Sequence, residues 1–319
     1  MLLNVFLLIV GFLILIKGAD YFVDGASSFA SNLKVPKMVI ALTIVAFGTS
    51  APEFAVSFKS MLSNSGELVL GNVVGSNIIN ILLILGVSSI VRPLAVKSNT
   101  VKKELPILLI ITTLLTVVFC DSSFNNKMIN TITRADGFVI LLFFLIFVYY
   151  LFSVIRNRND NDDEKPKFGL VKSILVSIIG ITAVVLGSNF VVDSATYIAQ
   201  YFGISERIIG LSIVALGTSL PELVTSVVAA KKNEIDLAVG NIIGSNIFNI
   251  GIVLGLPIII FGDIVPLGFS MLDIITMILS VVVLFWFSFN DGKISRKEGI
   301  IMIVLFLLYY GYMFFEKII

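Results

Sequence analysis

An eight-residue stretch occurs twice in this chain, as AFGTSAPE at residues 46–53 and as ALGTSLPE at residues 215–222. A second stretch follows each copy, as GNVVGSNIIN at 71–80 and GNIIGSNIFN at 240–249. Both pairs are separated by 169 residues, and the polar residues are those that the copies share. The chain therefore contains one structural unit twice, and its fold must give both copies equivalent surroundings.

Each copy of the unit lies in a strongly apolar sequence. The chain is 57% hydrophobic and 13% charged, with a mean hydropathy of +1.05, whereas soluble domains carry about 25% charged residues. Apolar runs of about 20 residues are long enough to cross a bilayer as helices. The net charge of +1 gives no indication of a nucleic-acid partner, and the single Cys120 rules out an intrachain disulfide.

Ten apolar segments, five on each side of a hydrophilic stretch, predict the topology. The stretch 156–168 has nothing to bury and is predicted to be a solvated linker between a first repeat, 1–155, and a second repeat, 169–319. Because five spans is an odd number, the second repeat begins on the opposite side, which predicts an all-α membrane protein of ten transmembrane helices in two inverted five-helix repeats. The segments lie near 2–17, 38–58, 68–91, 105–120, 136–155, 170–199, 208–230, 237–261, 267–288 and 299–315.

The lysines and arginines of the loops predict the orientation, because they are enriched on the cytoplasmic side. If the N-terminus is outside, sixteen of them fall in inside loops and five in outside loops. We therefore predict a multi-pass protein of the cell membrane, surrounded by lipid, with both termini outside and a cytoplasmic linker. The five residues in outside loops are Lys59, Lys127, Arg134, Arg207 and Lys317.

The first stretch combines a helix break with a carboxylate. Pro52 removes a helical N–H, and with Gly48 before it the helix is predicted to kink or unwind, freeing carbonyls such as that of Ala46. Broken backbone is tolerated at membrane depth only where it lines a cavity or is buried in protein. Thr49 and Glu53 are four residues apart, so both side chains can face the same way.

The second stretch places polar residues on an apolar helix. Asn72, Ser76 and Asn80 are four residues apart and are predicted to form one polar stripe. Gly75 permits close approach of a neighbouring helix. We interpret Asn72 and its counterpart in the second repeat as residues that join helices. The stripe recurs at 240–249.

The two copies together supply two carboxylates, several hydroxyls and several amide oxygens, which are the ligands that calcium and sodium prefer. The chain contains no histidine. Ionised Glu53 and Glu222 carry a charge of −2, which one calcium or two sodium ions would neutralise. A lone membrane glutamate could instead be a structural ion-pair partner, but the motif is retained twice, which favours a binding site. Asp20 and Asp24 are interpreted as solvated caps near a helix end.

On these residues the sequence resembles the sodium/calcium exchanger family, within the cation/calcium exchanger superfamily. The resemblance is carried by GTSxPE at 48–53, GNxxGSN at 71–77 and their second copies, and it covers nearly the whole chain. The short linker is similar to that of prokaryotic members. The resemblance implies an antiporter that exchanges sodium for calcium by alternating access, without a cofactor, enzymatic activity or an obligatory protein partner. It implies these metal ligands: Ala46, Thr49, Ser50, Glu53, Ser76, Asn80, Ala215, Thr218, Ser219, Glu222, Ser245 and Asn249.

The resemblance also implies a role for each ligand. The two glutamates would be central ligands shared by calcium and sodium, and the threonines and serines of the GTS motifs would supply hydroxyl or carbonyl oxygens. Ser76 and Ser245 would serve outer sodium sites together with the two alanine carbonyls, and Asn80 and Asn249 would complete the centre. The first span of each repeat would form a pair that slides to switch access.

Several alternatives stay open. Many relatives carry Asp at the position of Asn80 or Asn249, so two asparagines here weaken potassium-dependent exchange. Calcium/proton exchangers usually carry an acid where this chain has Gly75 and Gly244, which places that reading second. A channel with an acidic filter would pass current without exchange. An intramembrane hydrolase with a pair of acids would cleave peptides.

Overall fold

A computed structural model describes residues 1–63, 65–120, 130–156, 165–203, 215–266 and 271–318, which are almost entirely helical. Two short strands, β1 (Leu94–Ala95) and β2 (Lys293–Ile294), pair antiparallel. The helices are α1 (Leu2–Asn32), α2 (Lys37–Thr49), α3 (Ala51–Leu62), α4 (Gly66–Val91), α5 (Leu105–Phe119), α6 (Arg134–Arg156), α7 (Leu170–Tyr201), α8 (Ala215–Thr218), α9 (Leu220–Lys231), α10 (Ile235–Phe261), α11 (Met271–Asp291) and α12 (Arg296–Ile318).

Several of the described helices are long and apolar enough to cross a membrane. Six meet this test, namely α1, α4, α6, α7, α10 and α11, and the bent pair of α2 and α3 is a seventh if it forms one span. Large apolar side chains such as Phe6, Leu145 and Ile179 are exposed on their outer faces. Lipid covers such faces at no cost in free energy, so the chain is a multi-pass membrane protein.

The helices α1 and α7 pack against each other along most of their length. A Cβ atom on Gly11 would lie 3.1 Å from the carbonyl oxygen of Gly187, and one on Gly25 would lie 2.6 Å from the backbone nitrogen of Ser177. The helices are therefore antiparallel, and their backbones approach so closely that only small residues fit between them.

The first helix is longer than the apolar segment near 2–17 suggests. It continues to Asn32, so Asp20 and Asp24 lie inside the helix and do not cap its end as expected from the sequence, although the side chain of Asp20 is partly exposed. Lys232 contacts both carboxylates, at 2.8 and 2.7 Å, and Lys167 contacts Asp24 at 2.6 Å. These ion pairs supply opposite charges to two carboxylates within a largely apolar helix.

Helices α4 and α10 form the centre of the molecule. Most of their side chains are buried, including most of the polar ones, whereas only about a fifth of the residues in the apolar windows of α1, α6 and α7 are buried. Each central helix contains a stretch of π-helix, over Ile79–Leu85 in α4 and Asn249–Leu254 in α10. Such wide turns are frequent at functional sites. They also alter the four-residue spacing on which the predicted polar stripe depended.

Candidate ion-binding site

The predicted helix break is present in both repeats. The helix is interrupted at Ser50, with φ −83° and ψ 7°, and at Ser219, with φ −86° and ψ 4°. The helices α2 and α3 meet at a bend of 49°. Glu53 and Glu222 then lie in the first turns of α3 and α9, where the unpaired N–H groups of a helix start stabilise a negative charge.

The break does not free the carbonyl of Ala46, contrary to the expectation from the sequence. This oxygen accepts a hydrogen bond from the N–H of Ser50 at 2.9 Å, and the hydroxyl oxygen of Thr49 lies 3.3 Å away. The helix α2 continues through Thr49, so its last turn still satisfies Ala46. An ion that binds this oxygen must use the lone pair that the N–H of Ser50 leaves unoccupied.

The two carboxylates are each held by a serine from the opposite repeat. Ser50 donates to Glu222 Oε1 at 2.8 Å, and Ser219 donates to Glu53 Oε1 at 3.2 Å. All four side chains are buried. The structure thus brings the two predicted acids and their neighbouring serines together at one seam, where α3 and α4 of the first repeat meet α9 and α10 of the second.

Further predicted ligands lie beside these pairs. The hydroxyl of Ser219 also contacts Ser76 at 3.4 Å, and Ser245 lies 3.4 Å from Glu222 Oε1. Thr49 donates to Asn241 Oδ1 at 3.0 Å. Thr218 is half-buried at the end of α8, and Ala215 begins that helix.

Asn72 and Asn241 connect neighbouring helices, as the sequence indicated. The amide of Asn72 donates to the main-chain carbonyl of Glu53 and to Ser57, both at 2.9 Å. The amide of Asn241 donates to Ser226 at 3.0 Å. The hydroxyls of Ser57 and Ser226 were not anticipated, although they too are 169 residues apart.

A cluster of four asparagines lies where α4 meets α10. It consists of Asn77 and Asn80 from α4 and Asn246 and Asn249 from α10, and all four side chains are buried. Asn80 donates to Asn246 Oδ1 at 2.9 Å, and Asn249 donates to Asn77 Oδ1 at 3.2 Å. Asn80 and Asn249 are predicted ligands, whereas Asn77 and Asn246 were not singled out from the sequence. Their retention in both GSN motifs was the available signal.

Four buried oxygens of the predicted ligands have no hydrogen-bond partner among the described residues. They are one carboxylate oxygen from each glutamate and one amide oxygen from each of two asparagines: Glu53 Oε2, Glu222 Oε2, Asn80 Oδ1 and Asn249 Oδ1. Buried polar atoms are nearly always satisfied, so an unsatisfied set indicates a bound ion or water. Carboxylate and amide oxygens suit calcium and sodium and not softer metals.

The arrangement provides two acidic groups at one place. Among the described residues, no third acidic or cysteine side chain forms a cluster with them. The charge at the seam is therefore limited to the two glutamates, which agrees with the predicted balance against one divalent ion or two monovalent ions. Fold and geometry together define a class: a multi-pass membrane protein with a buried centre of carboxylate, hydroxyl and amide oxygens, the atom types that suit hard cations.

Comparison with known proteins identifies the family. The family described as "Sodium/calcium exchanger protein" matches residues 3–153 and 172–315. The sodium/calcium exchanger MaX1 of Methanosarcina acetivorans is 32% identical over 98% of this chain and 99% of its own length. The inner membrane protein YrbG of Escherichia coli is 39% identical over 88% of each chain. The chain belongs to the sodium/calcium exchanger family.

Solved structures agree with this assignment. The sodium–calcium exchanger NCX_Mj matches with a TM-score of 0.82 and 32% sequence identity, over 96% of this chain and 97% of its own. The predictions of an antiporter of this family, and of a transporter in place of an enzyme, are thereby confirmed.

Proposed function

We propose that sodium and calcium are exchanged at the seam between the repeats, where Glu53 and Glu222 are the central ligands for both ions. The observation that carries the proposal is the set of four buried oxygens without a described partner, two from carboxylates and two from amides. Each repeat contributes one of each kind. Burying these oxygens without a partner costs free energy, and a cation bound at the seam would compensate for that cost.

The neighbouring oxygens extend this centre. The amide oxygens of Asn80 and Asn249 complete the centre. Four residues of the GTS motifs add hydroxyl or carbonyl oxygens around the ion, namely Thr49, Ser50, Thr218 and Ser219. Ser76 and Ser245 serve outer sodium positions with the carbonyls of Ala46 and Ala215. Support comes from the contacts of the serines with the carboxylates and from the burial of the site.

Charge balance explains how the site could exchange ions and prevent uncoupled ion flow. Either one calcium or two sodium ions neutralise the two carboxylates, and a neutral core can pass through a dehydrated intermediate. An empty core with two unpaired carboxylates resists this step, because buried charges in a membrane are costly. One cation load must therefore replace the other, and this coupling is what defines an antiporter.

We also propose ten spans in two inverted repeats, 1–155 and 169–319, joined by the linker 156–168. Contacts between distant segments support this count. The strands β1 and β2 join the segments that follow α4 and α11, and Lys232 joins the end of α9 to α1. Ile132 pairs with Ile264 in the segments that precede α6 and follow α10. Ten alternating crossings bring each of these pairs to one side of the membrane.

The linker is then cytoplasmic and both termini are outside. The bias of sixteen lysines and arginines against five supports this orientation. Ion pairs of Lys37 with Glu234 and of Lys97 with Asp236 lie on the side assigned to the cytoplasm. Three of the residues counted, Lys127, Arg158 and Arg207, lie outside the described residues, as do the start of the segment 208–230 and most of the linker.

The test is uptake of radioactive calcium into sodium-loaded proteoliposomes, with external sodium absent. Uptake driven by the outward sodium gradient, and lost in Glu53→Gln or Glu222→Gln while the proteins still purify as folded species, is the expected result. Asp291→Asn, an exposed acid at the end of α11, is the matched control and should retain uptake. Uptake driven only by a pH gradient would contradict sodium coupling, and full activity of Glu53→Gln would refute the assigned centre.

A further inference from the structure

Two asparagines that are not part of the proposed ligand set make a reciprocal contact across the seam. The amide nitrogen of Asn77 donates to the main-chain carbonyl of Asn246 at 3.4 Å, and that of Asn246 donates to the main-chain carbonyl of Asn77 at 3.3 Å. A main-chain carbonyl can only accept a hydrogen bond. These two contacts therefore determine which end of each side-chain amide is nitrogen and which is oxygen.

The orientation of this first pair fixes the orientation of a second pair. Because their nitrogens face the main chain, the Oδ1 atoms of Asn77 and Asn246 face the other way and must accept. Asn246 Oδ1 accepts from the amide nitrogen of Asn80 at 2.9 Å, and Asn77 Oδ1 accepts from that of Asn249 at 3.2 Å. An amide whose nitrogen is engaged presents its oxygen on the opposite side.

In Asn80 and Asn249, the amide oxygen on the side opposite the engaged nitrogen is the unsatisfied atom. The Oδ1 atoms of Asn80 and Asn249 have no hydrogen-bond partner among the described residues, and both side chains are almost completely buried. If either amide turned over, its NH₂ group would replace the oxygen. An NH₂ group carries partial positive charge and has no free lone pair, so it would repel a cation and could not bind it.

We infer that Asn77 and Asn246 are positioning residues: they hold the oxygens, and not the amino groups, of Asn249 and Asn80 toward the transported cation. The inference rests on the proposed function, in which those two oxygens are ligands. Each repeat thereby orients an amide ligand of the other. Groups that orient metal ligands typically contribute about tenfold to a hundredfold to metal affinity.

A purely structural role for the same hydrogen bonds makes a different prediction, and a change at residue 80 separates the two. In Asn80→Asp the side chain has two equivalent oxygens, so an oxygen faces the site whichever way the group turns. An orienting contact from Asn246 is then no longer needed. The carboxylate at residue 80 cannot donate to Asn246 Oδ1, but the amide of Asn246 still donates to the main-chain carbonyl of Asn77. If Asn246 served only to join α4 to α10 through that contact, Asn246→Ala would still weaken binding in the Asn80→Asp background.

The experiment is a double-mutant cycle on purified full-length protein. Calcium affinity is measured by calcium-dependent thermal stabilisation and, independently, by the half-saturating concentration for uptake. We expect Asn246→Ala to weaken calcium binding about tenfold or more. In the Asn80→Asp background the same substitution should change affinity less than about threefold. Asn77→Ala should behave in the same way with Asn249→Asp.

Two further variants keep the inference testable. Asn246→Asp retains an acceptor for the amide of Asn80, so it should lose less affinity than Asn246→Ala and serves if the alanine variant does not fold. Asn241→Ala removes an amide from the same helix that contacts neither Asn80 nor Asn249 in the described contacts. Its effect should be the same in both backgrounds.

The outcomes are distinguishable. If Asn80→Ala weakens calcium binding but Asn246→Ala does not, or if Asn246→Ala has an equal effect in both backgrounds, the orienting role is refuted and the ligand assignment stands. If Asn80→Ala leaves calcium affinity unchanged, Asn80 is not a ligand, and both the assignment and the inference fail. Retained sodium-driven uptake in these variants would leave the exchange activity itself untouched.

Discussion

Ser50 in the first repeat donates a hydrogen bond to Glu222 in the second over 2.8 Å, and the equivalent contact from Ser219 to Glu53 spans 3.2 Å. Each carboxylate therefore accepts a hydrogen bond from a serine of the opposite repeat. The site belongs to the seam between the repeats and to neither repeat alone. Any relative movement of α2–α3 and α8–α9 must change the hydrogen bonding of both glutamates. Under the proposed function, this movement would couple ion binding to conformation.

Removing either serine hydroxyl should weaken calcium binding unequally. Hydrogen bonds to charged groups contribute about 1.5–3 kcal/mol, and the shorter one is expected to contribute more. Ser50→Ala should therefore raise the half-saturating calcium concentration for uptake roughly tenfold, and Ser219→Ala should raise it less. Ser63→Ala, which removes an exposed hydroxyl, is the control. Equal values for Ser50→Ala and the control would contradict the assignment.

Repeat-related glycines should respond differently to alanine. A Cβ on Gly244 would lie 2.7 Å from Leu42 Cα and 2.8 Å from Ala46 Cβ, whereas no described atom lies within 4 Å of a Cβ on Gly75. Gly244→Ala must separate α2 from α10 and should lower the free energy of unfolding by about 1–3 kcal/mol. Gly75→Ala should be neutral or stabilising by up to about 1 kcal/mol. Thermal denaturation in detergent without calcium measures both, and equal losses would show that the asymmetry does not exist in solution.

A buried carboxyl outside the ion site should depend on one tyrosine. Tyr150 donates its hydroxyl to Glu104 Oε1, and Glu104 Oε2 has no partner among the described residues. Tyr150→Phe leaves the acid less satisfied and should cost about 1–3 kcal/mol of stability. Adding Glu104→Met should recover part of that loss, because the unsatisfied group is then absent. A double variant that is less stable than Tyr150→Phe would refute this account.

Two adjacent lysines should differ in their effect on stability. Lys232 pairs with Asp20 and Asp24, while Lys231 is exposed. Partly exposed ion pairs contribute about 0–1 kcal/mol each, so Lys232→Gln should lower the unfolding free energy by about 1 kcal/mol. Lys231→Gln should have no effect. The difference should shrink at high salt, because salt screens exposed charges; a difference that is independent of salt would point to packing of the lysine side chain.

Much of the site could be predicted because the repeated motifs carry its chemistry directly. Proline and glycine break the helices, and the carboxylates and serines meet at the seam as expected. The engaged carbonyl of Ala46 could not be predicted, because the residue at which a helix ends depends on packing. The π-helical turns at 79–85 and 249–254 likewise have no sequence signal of their own. The roles of Asn77 and Asn246 depend on a contact between residues 169 positions apart.

The lysine partners of Asp20 and Asp24 were missed for a related reason. Sequence reasoning placed these acids near the end of a short apolar segment, where solvent is the default partner. Their actual partners, Lys167 and Lys232, are more than 140 positions away along the chain. Only the antiparallel packing of α1 against α7, and the proximity of α9, bring these charges together.

The crossed contacts between Ser50 and Glu222 and between Ser219 and Glu53 limit how a duplicated gene can diverge. A substitution at residue 50 is tested by its fit to residue 222, so selection couples positions in opposite halves of the chain. Apolar positions within the same motifs have drifted, as Phe47 and Leu216 show, while the crossed partners are identical in both copies. A substitution at residue 50 or 219 must therefore remain compatible with the carboxylate that its side chain contacts in the other half of the chain.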